Sequence, residues 1–220
     1  MHIQVTARRT SPVVRTLLAG GVAIAPLFYA VSIIQALTRT GFNLKYHAIS
    51  NLTLGELGWM QSAAFVLAGL LALLMAIGIR GLLRGGKGGT WGAVLIGIYG
   101  VGMIMAGLFK PDPGFGFPPG APDGMPAAMS NEAAVHMMAF FIAFICLIAA
   151  SFVHARRFAA IGERRWSVCS MASGIIAIAL IVWGMSASSW IGAIMGSAGI
   201  AAFGWLSALA VRLRAEAAAR

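Results

Sequence analysis

Residues 166–211 read WSVCSMASGIIAIALIVWGMSASSWIGAIMGSAGIAAFGWLSALAV, 46 positions between Arg165 and Arg212 without one Asp, Glu, Lys or Arg. A bilayer-spanning helix needs about 20 apolar residues. As one helix this run would be roughly 70 Å long at about 1.5 Å per residue, close to twice a membrane's thickness. It therefore predicts two spans, 166–185 and 190–211, folded back at the small polar turn Ser186–Ser189. Working outward, shorter charge-free runs recur. There are 23 residues between Arg15 and Arg39, 23 between Glu56 and Arg80, 22 between Lys87 and Lys110, and 21 between Glu132 and His154, the last broken only by His136. Each holds one span, at 17–38, 60–80, 90–109 and 133–154. The fold class is an all-α membrane bundle of six helices, a single domain over residues 1–220. Composition agrees: 60% of residues are hydrophobic and 10% charged, against roughly 25% charged in an ordinary soluble domain. So few charges cannot cover a soluble surface, which excludes a soluble enzyme fold, a disordered chain and a disulfide scaffold.

The net charge of +10 would suggest nucleic acid in a soluble protein, but its distribution points to a membrane. The six spans sort the 16 Lys and Arg into alternating loops, and thirteen fall on one side. Only Arg39, Lys45 and Lys110 fall on the other. The positive-inside rule then predicts both termini in the cytoplasm, in a bacterial cytoplasmic membrane. The inner clusters Arg80, Arg84 and Lys87, and Arg156, Arg157, Arg164 and Arg165, would lie against anionic headgroups at about 1 kcal/mol per charge. The partners expected are membrane lipids and not nucleic acid. The first apolar run loosely resembles a secretory signal around Ala23 and Ala25. It is too long for one and carries Pro26 and Tyr29, so it reads as a retained first span. Cys146 and Cys169 fall within spans and read as small hydrophobes, not as a disulfide.

The spans are rich in glycine, which lets helix backbones approach where packing holds a bundle together. Gly192 and Gly196 form a GxxxG in the last span; the plain reading is close packing, and the sharper one a contact with a second copy. Two connections on the outer side are long. One runs from Arg39 to Trp59. The other, KPDPGFGFPPGAPDGMPAAMSNE over residues 110–132, holds six of the chain's eight prolines, which makes it stiff.

The candidates for chemistry concentrate in these loops: no span carries an Asp, Glu, Lys or Arg at mid-membrane, and such charges usually mark ion or proton paths, which argues against a proton-coupled transporter or an ion pump. The candidate binding residues are His47, Ser50, Asn51, Glu56, Asp112, Glu132 and His136, with His47, His136, Asp112 and Ser50 as catalytic candidates. The two histidines with a carboxylate could hold a divalent metal with an open position, or a histidine could activate the Ser50 hydroxyl. Against this stand ordinary roles: helix capping for Ser130 and Asn131, and structural hydrogen bonding for an interfacial histidine. There is no HExxH, GxSxG or CxxC, so no metal and no cofactor is assigned. His136 and His154 lie 18 residues apart on one face of the fourth span. That is about 27 Å, nearly the full hydrocarbon thickness, and an inner haem would have only His2 left as a second ligand, so the haem reading fails and His154 reads as an interfacial residue beside Arg156 and Arg157.

The segment HAISNLTLGELGWMQ, from His47 to Gln61, and the later pairing of DPGFGFPPGAPDG with SNEAAVH, from Asp112 to His136, resemble the polar signature of the bacterial membrane family named domain of unknown function 998. The six-span layout is similar over nearly the whole chain. The resemblance implies that the signature falls on His47, Ser50, Asp112 and His136, and it implies no reaction. The expectation is that both long loops fold together over the outer leaflet into a polar pocket for a lipid headgroup or small amphiphile. The rivals are a membrane lipid hydrolase or transferase using the same His, Asp and Ser residues, and an accessory subunit of a larger membrane complex.

Overall fold

The computed structural model describes residues 10–220; His2, Arg8 and Arg9 lie outside them. The described chain is helical: α1 (Pro12–Val22), α2 (Ile24–Thr38), a 3₁₀ turn (Ile49–Thr53), α3 (Gly58–Leu82), α4 (Trp91–Leu108), α5 (Asn131–Ala160), α6 (Arg164–Ser186) and α7 (Ile191–Ala218). No strand occurs among the described residues, only an isolated bridge between Gly114 and Phe117. With α1 and α2 running on as one stretch, six helices are long and apolar enough to cross a membrane. The first begins at Pro12, earlier than charge spacing predicts. Ser11 caps it, its Oγ accepting the Val13 N–H at 3.3 Å, and Pro12 occupies the first helical position, where its missing donor costs nothing. Helices α5 and α7 run past residues 154 and 211, with Arg157 paired to Glu216 and Arg212 to Glu163, so charge there does not stop a helix.

The break between α1 and α2 follows from Pro26, which has no N–H to donate and leaves the ladder open one turn earlier. A residue 182 positions away repairs it. The Ala25 N–H donates to the Ser207 hydroxyl at 3.0 Å, and that hydroxyl donates to the Gly21 carbonyl at 3.1 Å. A side chain of α7 thus stands inside the 25-to-21 pair of the first span. Where no water is available, such a substitute is what makes a helix break tolerable.

Each helix packs on the next from α3 to α7, and α1 touches both α3 and α7, closing the ring. Small residues set the approach. A Cβ on Gly100 would stand 2.8 Å from the Gly69 carbonyl oxygen, so α3 and α4 cross with backbones nearly touching. The middle is filled by aromatics: Phe28 meets Phe65 at 4.9 Å and Phe203 at 5.2 Å between ring centroids. Large apolar side chains such as Ile175, Ile178 and Val182 point outward, as lipid-facing residues do.

The antiparallel order gathers the two long connections and the Ala187–Trp190 turn at one end, the loop end. The α3–α4 turn, the α5–α6 turn, the start of α1 and the end of α7 gather at the other, the basic end. Gly192 and Gly196 face inward. A Cβ on Gly192 would collide with the His47 carbonyl, one on Gly196 would stand 3.2 Å from Ile49, and the Tyr29 hydroxyl donates to the Gly196 carbonyl at 3.1 Å. Both glycines thus pack against the chain's own first loop and first span.

Candidate functional site

The two long loops interlock through His47, which is 2% exposed. The Asn43 N–H donates to its Nδ1 at 2.9 Å, so Nδ1 carries no proton and the proton sits on Nε2. Nε2 then donates to the Phe115 carbonyl at 3.1 Å. The ring lies between Phe42 and Phe117, at 5.5 and 5.3 Å. Arg39 pins the other side. Its Nη1 and Nη2 donate to the Leu52 and Leu54 carbonyls at 2.6 and 2.5 Å, and its guanidinium lies 4.9 Å over the Phe117 ring. Burial pulls its pKa below the ordinary arginine value. The cost is offset by two charge-assisted bonds and a cation–π contact. A small second core of Leu52, Leu54 and Phe117 results.

A separate set closes the Pro-rich loop. His136 Nδ1 donates to both the Ala106 and Phe109 carbonyls, at 3.1 and 2.9 Å, groups that α4 leaves unpaired at its end. The Lys110 N–H donates to Glu132 Oε1 at 3.0 Å, and the Ser130 N–H to Asp112 Oδ2 at 2.8 Å, tying the loop's two ends together. Ser130 is the N-cap of α5, accepting the Ala133 N–H at 3.1 Å. In the first loop the Ser50 carbonyl accepts the Thr53 hydroxyl at 2.7 Å, the Asn51 carbonyl accepts the Leu54 N–H at 2.9 Å, and Glu56 is exposed.

The seven candidates therefore divide. His47 joins loop to loop, while Asp112, Glu132 and His136 secure the α4–α5 connection. Each of these four side chains is hydrogen-bonded to backbone rather than to another candidate. Among the described residues no three His, Cys, Asp or Glu side chains gather as metal ligands would. Both nitrogens of His47 are committed to backbone groups, and the Ser50 hydroxyl is bonded to neither.

Residues 22–212 match the family described as protein of unknown function (DUF998). The chain belongs to that family. No curated protein and no solved structure matches it.

This DUF998 chain carries two features that loop composition did not single out. At the loop end Trp183, Ser186, Ser188, Ser189, Trp190 and Ile194 line an open groove of about 390 Å³. Trp190 holds a left-handed backbone, φ 64°, and its N–H donates to the Lys45 carbonyl at 2.7 Å. The groove is thus tied directly to the loop carrying His47. Its sequence signal is a pair of tryptophans bracketing a serine-rich turn. At the basic end His154 is fully buried, with neither ring nitrogen bonded among the described residues, in place of the interfacial position its arginine neighbours suggest.

Proposed function

We propose that the protein binds a lipid headgroup or small amphiphile at its loop end, as a multi-pass protein of the bacterial cytoplasmic membrane with both termini in the cytoplasm. The thirteen-to-three division of Lys and Arg supports that orientation. The observation that carries the binding reading is the groove between Trp183 and Trp190, which are 59% and 57% exposed. Indole rings favour the membrane–water interface, with an apolar face for the acyl and glycerol region and an N–H for the polar part. Ser188 and Ser189 add hydroxyls beside them. In this reading His47, Asp112, Glu132 and His136 are positioning residues that hold the cap rigid, and Ser50, Asn51 and Glu56 form its polar rim.

Thermal unfolding in detergent with added short-chain phosphatidylethanolamine tests it. A ligand at a hundredfold excess over its Kd stabilises by about 2.7 kcal/mol, a rise of roughly 5–10 °C for a chain this long. The wild type should show such a rise and the double variant Trp183→Ala, Trp190→Ala should not. An equal rise in both, or none in the wild type, would refute the proposal.

A further inference from the structure

The basic end holds an unfilled electrostatic demand. Of the six buried side-chain atoms without a hydrogen-bond partner among the described residues, three lie within one turn of α5: both ring nitrogens of His154 and Nη1 of Arg157. Arg157 is 5% exposed. Its Nη2 donates to both Glu216 oxygens, at 2.8 and 2.7 Å, but Glu216 also accepts from Arg220 at 2.6 Å and lies 3.9 Å from Arg212. One carboxylate is shared among three guanidinium groups. Arg157 lines an open cleft of about 330 Å³ together with Arg84, Lys87, Gly86 and Arg220, and neither Arg84 nor Lys87 has an acidic partner among the described residues.

Helix ends explain part of this basicity. The C-termini of α3, α5 and α7 converge here, and each attracts cations through about half a negative charge; Arg220 Nη1 accordingly donates to the Leu82 carbonyl at 3.1 Å. They do not explain Arg157 Nη1, which reaches no carbonyl and no carboxylate although it is buried. Burying a guanidinium donor without an acceptor is costly enough that such groups ordinarily have one. The wall opposite is shaped for closeness. Gly88, at φ 81°, lies where a Cβ would stand 3.1 Å from Arg157 Cδ, and a Cβ on Gly92 would stand 2.6 Å from His154 Nε2. A side chain at either position would press on the buried pair.

We propose that this cleft binds a phosphate-bearing anion, with Arg157 in its floor turning its buried, unpartnered Nη1 to the anion and Arg84 and Lys87 closing over it from the α3–α4 turn. Phosphate suits it because a guanidinium fork matches phosphate oxygens and lysine supplies a mobile charge. The source is the phosphodiester of an anionic lipid headgroup or free phosphate. The site lies at the opposite end of the bundle from the tryptophan groove and does not depend on it.

The test uses the full chain in nanodiscs of phosphatidylcholine with a minority of phosphatidylglycerol. Lipid retained after release is read by native mass spectrometry, and stabilisation by inorganic phosphate is read by thermal unfolding in detergent. Arg84→Gln with Lys87→Gln removes two exposed cations without touching the buried pair, while Arg15→Gln with Arg214→Gln removes two exposed cations elsewhere at the same end. Arg157→Lys retains the charge but not the fork. Selective retention of phosphatidylglycerol, weakened about tenfold or more by Arg84→Gln with Lys87→Gln, weakened by Arg157→Lys and unchanged by the control pair, supports a headgroup site. The same pattern for inorganic phosphate without lipid retention supports a free-phosphate site. Binding of neither, or an equal loss in the control pair, overturns the proposal and reduces the cleft to general surface attraction.

Discussion

His47 and Phe115 stand 68 positions apart, and the imidazole Nε2–H donates to the Phe115 carbonyl across 3.1 Å. That bond is the direct polar link between the first loop and the Pro-rich loop, and the ring making it has its other nitrogen filled by the Asn43 N–H. Replacing the buried His47 by alanine leaves a part-buried donor and a part-buried acceptor without their partner. Such a loss costs about 1–3 kcal/mol where the group is fully buried and less where it is part-exposed, so His47→Ala should lower the thermal midpoint by a few degrees and open the loops to protease. His47→Gln, which offers one donor and one acceptor, should recover part of the loss. An unchanged midpoint for His47→Ala would show that the loops do not depend on this bond.

Ser207 makes a similarly specific prediction. Its hydroxyl serves both the Ala25 N–H and the Gly21 carbonyl at the proline break. Ser207→Ala should destabilise by about 1–3 kcal/mol, read as reduced resistance to unfolding in detergent. Combining it with Pro26→Ala, which restores a backbone donor to the break, should cost less than the two single changes added together. Strict additivity would mean that the hydroxyl is not compensating for the proline.

Two glycines of α7 should part company. A Cβ on Gly192 would collide with the His47 carbonyl, whereas nothing lies within 4 Å of one on Gly204. Gly204→Ala should be nearly neutral in stability and expression. Gly192→Ala should displace the first loop and reduce the yield of folded protein. Equal behaviour would contradict the packing of α7 against that loop.

Acid sensitivity should arise at the basic end. Glu163 accepts hydrogen bonds from Arg212, one of them at 2.9 Å, and this pairing holds the Glu163 pKa below the ordinary 4.5. A carboxylate with a depressed folded pKa contributes its full stabilisation above the unfolded value and loses it as pH falls through the folded one. The wild type should therefore lose more stability than Glu163→Gln on acidification from pH 7 to below about 4.5, and the two curves should converge at the acid end. Parallel curves would show that the pair contributes nothing.

The bundle was legible because its dominant force is compositional: six long apolar runs separated by charge have few other solutions. The ends of the helices were less so. Arg157 and Arg212 look like boundaries when charge alone is counted, yet they lie inside helices because Glu216 and Glu163 meet them from elsewhere in the chain. Pro26 is plain in the sequence, but its remedy is not, since nothing about Ser207, 181 positions later, announces that it enters a backbone ladder. In the loops the residue types were readable and their company was not. His47 and His136 stand on the same end of the bundle, but each turns to carbonyls of its nearest neighbours, and a single sequence does not say which carbonyls helices leave unpaired. The tryptophan groove is not legible in the sequence because Trp183 and Trp190 flank the short α6–α7 connection, where a tight turn is all that spacing suggests.

In the proposed function an amphiphile lies against the α6–α7 turn. A phospholipid carrying a photoactivatable group on its headgroup, incorporated into nanodiscs with the wild-type protein and mapped by peptide mass spectrometry, tests it most directly. Adducts concentrated on residues 183–194, and lost when unlabelled lipid competes, are the predicted result. Adducts spread evenly over both ends of the bundle, or absent from that segment, would contradict it.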